Sequence, residues 1–266
     1  MTAERHDAWQ AGDSYDGYMG RWSRKVAPLF LQWLDCRSRL SWLEVGCGTG
    51  ALTASILDLC DPESLIATDA SEGFIRKALV NVTDPRVEFR VEDAQALGLP
   101  SASCDVAASA LVLNFVPDRM KAVREMKRVV RPEGMVAFYV WDYPGGGIEF
   151  MRAFWTAAVA LDPGARDLTE DRRFPFCTSD GLIEMAREGG LRSIECIPIE
   201  VPTIFRDFED FWKPFTLGAG PAPGYCVSLE PDVRERLREK LHQTISPEQD
   251  GSIRMKARAW AVKAVA

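Results

Sequence analysis

The segment EVGCGTG at residues 44–50 combines one acid with three alternating glycines. Where such glycines follow a strand and precede a helix, bare backbone can approach a ligand at the helix N-terminus, whose free N–H groups point outward. Gly46, Gly48 and Ala51 also satisfy the dinucleotide pattern G-x-G-x-x-G/A. The pattern therefore indicates a nucleotide-type ligand, and a plain structural turn stays open as the alternative.

Two acids help to distinguish between the candidate ligands. Glu44 stands two residues before Gly46, where the pyrophosphate of a dinucleotide would lie. A carboxylate there disfavours a dianion and suits a ligand that carries an ammonium and a sulfonium group. Asp69 ends the next apolar run, where an acid can accept hydrogen bonds from both hydroxyls of a ribose. Asp69 could instead cap the following helix, although Ser71 is available for that role.

Short apolar runs alternate with helix-period segments from Ser41 to Trp141. Leu52, Ile56 and Leu59 share one helical face, and further helices are expected over 71–82 and from Pro117 to about Arg131. Strands with crossover helices form an open parallel α/β sheet. The predicted strands are SWLEV (41–45), SLIATD (64–69), RVEFRV (86–91), CDVAASALVL (104–113) and MVAFYVW (135–141).

The alternation stops at Gly145-Gly146-Gly147. Beyond it we expect two further strands, 193–201 and 252–263, and a loop over 218–224, with helices over 148–161, 178–188, 207–215 and 231–244. The predicted fold is α/β and Rossmann-like: a seven-stranded, mostly parallel sheet with helices on both faces and helical insertions after strand 5 and between strands 6 and 7. We predict a single domain over 1–266. Its parts are an N-terminal helical arm or lid (1–40), a ligand-binding core (41–142) and a helical cap with the final two strands (143–266).

Composition narrows the function classes. The chain has 266 residues, of which 47% are hydrophobic, and a net charge of −7, which argues against a nucleic-acid partner. Its seven cysteines are scattered without a C-x-x-C pair, so we expect no disulfide framework and no metal site. The N-terminus lacks the apolar core of a signal peptide, and no uninterrupted apolar stretch could insert into a membrane. These features predict a cytoplasmic protein.

The segment LEVGCGTGALT resembles the first motif of class I S-adenosylmethionine (SAM)-dependent methyltransferases. Three later segments resemble that family in the same order: ATDASEGFIRKA (67–78), VEDAQALGLPSASCDVAASALVLNFV (91–116) and REMKRVVRPEGMVAF (124–138). The stretch YDGYMGRWSRKVAPLF (15–30) is similar to the N-terminal arm of the branch related to ubiquinone and menaquinone biosynthesis methyltransferases. The resemblance implies the class I methyltransferase fold, SAM as cofactor, and methyl transfer to a small, apolar or aromatic molecule.

The resemblance also implies roles for individual residues. The loop of Gly46, Cys47 and Gly48 would lie against the methionine part of SAM, and Glu44 would lie near its ammonium. Asp69 would hold the ribose with Ala70 beside the adenine, while Asp93 and the Ala94 backbone would read the adenine. Ser109 and Ala110 would border the methyl group. In the arm, Tyr18 and Arg21 would close over the cofactor, with Arg21 pairing its carboxylate.

A methyl acceptor would bind at the ends of the fourth and fifth strands. We expect its site to include Tyr15, Asn114, Phe115, Trp141 and Asp142. Aromatic residues of the insertions are expected to be mostly core, with a few lining an apolar cleft. The segment 145–176, hinged at the three glycines, is predicted to form a mobile lid together with the arm.

Catalytic residues are left unassigned. Methyl transfer from a sulfonium depends mainly on holding donor and acceptor in line, and a base is optional. Two other functions stay open. One is an NAD(P)-dependent oxidoreductase on the same fold, although no Tyr-x-x-x-Lys pair occurs. The other is a non-catalytic SAM-binding module, since methyl transfer needs no signature residue. The sequence gives no indication of the oligomeric state.

Overall fold

The computed structural model describes residues 19–218 and 220–266. Its strands are β1 (Ser41–Val45), β2 (Ser64–Asp69), β3 (Val87–Val91), β4 (Cys104–Ala110), β5 (Val130–Trp141), β6 (Arg192–Phe205) and β7 (Ile253–Val265). They form a seven-stranded sheet in the order β3-β2-β1-β4-β5-β7-β6. The pairs β1–β2, β1–β4, β2–β3 and β4–β5 are parallel, and β7 runs antiparallel to β5. The predicted fold class is confirmed.

The helices lie where crossovers and insertions require them. The helices over Ala51–Cys60, Glu72–Asn81 and Arg119–Val129 each connect two parallel strands, because such strands cannot be joined by a tight turn. Short 3₁₀ helices occur at Pro163–Leu168 and Lys213–Leu217. The α-helices are α1 (Arg21–Leu34), α2 (Ala51–Cys60), α3 (Glu72–Asn81), α4 (Arg119–Val129), α5 (Glu149–Leu161), α6 (Glu170–Arg173), α7 (Ser179–Glu188), α8 (Phe208–Trp212), α9 (Pro221–Ser228) and α10 (Pro231–Thr244).

Several of the expected boundaries are wrong: β5 begins at Val130 rather than at 135, β6 runs on to Phe205 rather than to 201, and two further differences have a clear local cause. The predicted loop over 218–224 is helical from Pro221 onward, because a proline is well suited to the first turn of a helix. The fourth strand ends at Ala110 rather than at 113, because Leu111 takes a left-handed backbone conformation with φ of 61°. The chain therefore leaves the sheet three residues earlier than the apolar run suggests.

The described chain forms two compact units. The core unit comprises residues 23–141, 176–199 and 259–266. Its central strands are buried on both faces: successive residues point to opposite faces of a sheet, and Ala107 and Ala108 of β4 and Ala137 and Phe138 of β5 are all 0% exposed. Helix α1 packs onto this sheet through Phe30, whose ring centroid lies 4.8 Å from that of Tyr139. The mostly apolar sequence of β4 is typical of a strand with this two-sided burial.

The cap unit comprises residues 19–22, 142–175, 200–218 and 220–258. Its centre is an aromatic cluster in which Phe154 stacks on Phe215 at 4.4 Å between ring centroids, and Phe205 meets Trp22 edge-on at 5.3 Å. Phe150 and Phe211 complete the cluster and are at most 1% exposed. The expectation that the cap aromatics are mostly core is therefore confirmed.

A tight turn begins the cap unit at Asp142. The Gly145 N–H donates to Asp142 Oδ1 at 2.9 Å, and the Gly147 N–H donates to the Asp142 carbonyl at 2.8 Å. A Cβ on Gly145 would lie 2.3 Å from Asp142 Oδ2, so this position requires glycine for close approach. Close approach to Asp142 therefore explains the glycine at position 145 without reference to the hinge that we predicted there.

Candidate functional site

The turn after β1 displays backbone at the start of α2. Gly46, Gly48 and Gly50 have φ of 78°, 53° and 91°, the left-handed region that favours glycine. The N–H groups of Gly46 and Cys47 both donate to the Thr68 carbonyl, at 2.7 and 2.8 Å, which ties the turn to the end of β2. A Cβ placed on Gly48 would meet no atom within 4 Å, so this side of the turn is open.

Asp69 links the two loops at this sheet edge. Its Oδ2 accepts from the Gly48 N–H at 3.0 Å, and its Oδ1 accepts from the Ser71 N–H at 2.9 Å. Burial raises the pKa of the Asp69 carboxyl, and these two hydrogen bonds oppose the rise. Ser71 caps α3 by accepting from the Phe74 N–H, so the helix cap does not need Asp69. Each Asp69 oxygen keeps acceptor capacity for a ligand.

Glu44 is a buried acid with one unpaired oxygen. It is 1% exposed, and its Oε2 accepts from the Thr53 hydroxyl at 2.6 Å. Its Oε1 has no hydrogen-bond partner among the described residues. Burial raises the pKa of Glu44 to about 7; the Thr53 hydroxyl opposes the rise, and the charge of Asp69 adds to it. Such an oxygen is stabilised by a donor, and most strongly by a cationic one.

The ends of β3 and β4 bring further predicted residues to the same edge of the sheet. Asp93 is exposed, and its Oδ1 accepts from the Gln95 backbone N–H at 2.8 Å. Ser109 is fully buried, and its hydroxyl donates to the Val45 carbonyl at 2.8 Å, so this hydroxyl is not available to a ligand. Asn114 is 6% exposed, and its Nδ2 has no partner among the described residues.

The sequence of this core matches a known family. Residues 43–138 match the family model described as a methyltransferase domain. This match lies on the central strands of the sheet described above. The chain contains a methyltransferase domain with the class I methyltransferase fold.

Two curated relatives are similar to this chain in sequence, and one solved structure is similar to it in fold. A malonyl-[acyl-carrier protein] O-methyltransferase of Acetivibrio thermocellus is 28% identical over 207 residues, covering 75% of this chain and 69% of the relative. A ubiquinone biosynthesis O-methyltransferase of Paraburkholderia phymatum is 27% identical over 193 residues, covering 69% and 79%. The Haemonchus contortus phosphoethanolamine N-methyltransferase 2, solved with S-adenosyl-L-methionine, shares the fold with a TM-score of 0.58 and 15% identity, covering 96% of this chain and 56% of that one.

Several other predicted site residues of this methyltransferase lie in the glycine turn or follow neighbouring strands, and some can face a ligand only through their backbone. The Cys47 side chain is buried in a small core cluster with Ala67, Ile75 and Ala78, so only its backbone can face a ligand. Ala70 is exposed directly after Asp69, and Ala94 follows Asp93. Phe115 donates its N–H to the Val112 carbonyl at 2.8 Å, and Trp141 is 2% exposed in β5.

Two predicted roles conflict with the geometry of the cap unit. The Arg21 guanidinium binds both oxygens of Asp210, at 3.1 and 3.2 Å, so it would have to leave that partner to pair a SAM carboxylate. Asp142 is 1% exposed, and its Oδ2 accepts from Arg258 Nε at 2.7 Å. Both carboxylates hold the cap together, and we assign neither Arg21 nor Asp142 to a ligand. Tyr15 and Tyr18 lie outside the described residues.

Sequence reasoning missed Thr53 and Val112. Thr53 pairs Glu44, and a Cβ on Gly46 would lie 2.3 Å from Val112 Cγ2. The Thr53 contact had a weak signal, because a hydroxyl in the first turn of α2 can reach back to the strand that precedes the turn. The Val112 contact had no such signal, because it joins residues far apart in the chain.

Among the helices of the described residues, we find none whose length and apolar character would let it span a membrane.

The buried acid has a testable pH dependence. The pKa of Glu44 rises from its ordinary 4.5 to about 7 on folding, so between these values the folded chain holds a proton that the unfolded chain releases. Stability therefore falls as pH rises through this window. We expect Glu44→Gln to raise the free energy of unfolding by about 1–3 kcal/mol at pH 8 and by much less at pH 5.

Urea denaturation at both pH values measures this effect. Glu63→Gln, at an exposed acid, serves as the matched control and should change neither value. Equal effects of Glu44→Gln at the two pH values would contradict the assignment of a raised pKa to this carboxyl.

Proposed function

We propose that this methyltransferase transfers a methyl group from SAM to a small, apolar or aromatic molecule. The observation that carries the proposal is the unpaired Oε1 of buried Glu44 beside an open glycine turn that hydrogen-bonds Asp69. An ammonium suits the first feature, and vicinal hydroxyls suit the free acceptor capacity of Asp69. SAM carries both groups, so the residues present fit it.

The residue roles follow from this fit. Glu44 would attract the ammonium, through a water where the distance requires it, and Gly46 to Gly48 would lie along the methionine part. Asp69 would accept from the ribose hydroxyls beside Ala70. Asp93 would accept from the adenine amino group with an oxygen that still has acceptor capacity, and the Ala94 backbone would read the ring. Ser109 and Ala110 would border the methyl group through backbone.

SAM supplies a methyl group already activated by its sulfonium. The chain itself has to bind and orient the donor and the acceptor and to exclude water. In-line displacement is accelerated when donor and acceptor are aligned. Asn114 offers an unpaired amide nitrogen at the end of β4, which could donate to the acceptor. No side chain is assigned as a catalytic base.

The identity of the methyl acceptor is less constrained than that of the methyl donor. Both relatives described above are named O-methyltransferases, which favours an oxygen as the accepting atom. One is named for ubiquinone biosynthesis, which supports an aromatic acceptor. All seven cysteines are free, which fits a reducing compartment, and we propose a cytoplasmic location.

A ligand panel tests the donor. SAM and its demethylated product should each raise the melting temperature of the purified chain, because a ligand selective for the folded state stabilises it. NAD(P)H should not. A shift with NAD(P)H and none with SAM would contradict the proposal. Incubation with methyl-labelled SAM and a metabolite extract should then reveal the acceptor as a labelled product.

A further inference from the structure

The cap unit contains a cavity that the proposed roles do not use. Its volume is about 500 Å³, within the usual range for small-molecule sites. Met151, Trp155 and Val159, one helical turn apart along α5, form one wall. Tyr143 lines it from the turn after β5, and Glu170 lines it from α6. All the lining residues belong to the cap unit.

Glu170 is the polar feature that points to a ligand. It is 3% exposed, and its Oε2 accepts a hydrogen bond from the indole N–H of Trp155. Its Oε1 has no hydrogen-bond partner among the described residues. A buried acceptor without a donor lowers stability, and a ligand that donates to it would remove that penalty. The Trp155 hydrogen bond occupies Oε2, so Oε1 is the oxygen without a donor.

The lining indicates an uncharged ligand with an apolar part. The rings of Tyr143 and Trp155 and the side chains of Ile148 and Met151 contribute apolar lining, on which an aromatic ring packs well. The charged lining residues are two arginines and two acids, and the Arg166 guanidinium is paired with Asp171 at 3.0 Å. Acids and bases are thus present in equal number and one pair of them is already formed, so the lining favours neither an anion nor a cation strongly.

A hydroxyl is the donor that fits Glu170 best. Burial raises the pKa of Glu170 to about 7, so near neutral pH both forms of the carboxyl are populated. A hydroxyl can donate to the carboxylate and can accept from the carboxylic acid, whereas an ammonium suits only the carboxylate. The neighbouring Thr169 hydroxyl does not compete, since it donates to the Arg166 carbonyl at 2.8 Å.

We propose that this cavity binds a small, neutral aromatic molecule whose hydroxyl group hydrogen-bonds to Glu170. The inference concerns the cap unit alone and does not depend on methyl transfer. Its test therefore measures binding to the purified full chain without SAM. Absence of methyl transfer would not contradict this inference. Absence of probe binding to the cavity would not contradict the proposed SAM site.

Phenol and toluene are the probes, because they differ by a hydroxyl in place of a methyl group. By titration calorimetry the wild-type chain should bind phenol at least about fivefold more tightly than toluene, the effect expected of one buried hydrogen bond to a carboxyl group. Glu170→Met keeps the side-chain length and removes the acceptor, so the preference should vanish while toluene still binds.

A second variant guards against misfolding of Glu170→Met. Ala160→Trp fills the cavity from an exposed position of α5 and should abolish binding of both probes. Arg236→Trp, at an exposed position of α10 away from the cavity, is the matched control and should bind both as the wild type does. Equal affinity of the wild type for the two probes, absence of phenol binding, or phenol binding unchanged in Ala160→Trp would each overturn the proposal.

Discussion

Replacing Asp69 with alanine is expected to weaken SAM binding by about 1–3 kcal/mol, or roughly 5-fold to 150-fold. The carboxylate already accepts one N–H from Gly48 and one from Ser71, and it is oriented by both before any ligand arrives. Ribose hydroxyls would meet a preorganised acceptor whose burial strengthens each hydrogen bond. Alanine leaves those hydroxyls without this charged acceptor.

Calorimetric titration with SAM measures the loss, and Asp58→Ala is the matched control, since Asp58 is exposed on α2. Asp69→Ala also removes two hydrogen bonds that hold the turn, so a second ligand separates the two effects. The wild type should lose affinity for an S-adenosylhomocysteine analogue without ribose hydroxyls, whereas the variant should bind it and S-adenosylhomocysteine alike. A folded variant that still prefers the hydroxylated ligand would remove Asp69 from the ribose site.

Some elements have the boundaries that we predicted, because residues next to one another in the sequence determine where they begin and end. Strands β1 and β2 begin and end as expected, because each is a short apolar run closed by glycine or aspartate, whose conformations interrupt a strand. Ser71 takes the helix cap, as the spacing of cap and helix indicates. Helix α10 also has the predicted bounds, which a proline at its start and a long charged face specify.

The differences arise where tertiary contacts decide. Helix α9 contains two prolines and a glycine, which favour a loop, yet Ala222, Tyr225 and Cys226 are buried and stabilise the helix through packing. Arg21 looked available for a ligand, but its partner Asp210 lies 189 residues along the chain. The unpaired oxygen of Glu44 depends on burial from all sides, which no local pattern reports.

Replacing either of the first two glycines of the turn, Gly46 or Gly48, with alanine should lower the free energy of unfolding, but by different amounts and for different reasons. Gly46→Ala places a Cβ 2.3 Å from Val112 Cγ2 and forces an L residue to φ of 78°. Overpacking and backbone strain together should lower the free energy of unfolding by about 2–5 kcal/mol. At Gly48, the Cβ meets no atom within 4 Å, so only strain at φ of 53° remains, about 1–2 kcal/mol.

Ligand binding should show the opposite order among the folded variants. The open space beside Gly48 is where the backbone would meet the ligand, so Gly48→Ala should lose SAM affinity beyond what its small loss of stability explains. Urea denaturation gives the stabilities, and the double variant Gly46→Ala/Val112→Ala separates the two causes at Gly46. Removing the Val112 methyl groups should recover the overpacking part and leave the strain. If the double variant is no more stable than Gly46→Ala, the contact with Val112 is not what requires glycine, and backbone conformation alone must account for it.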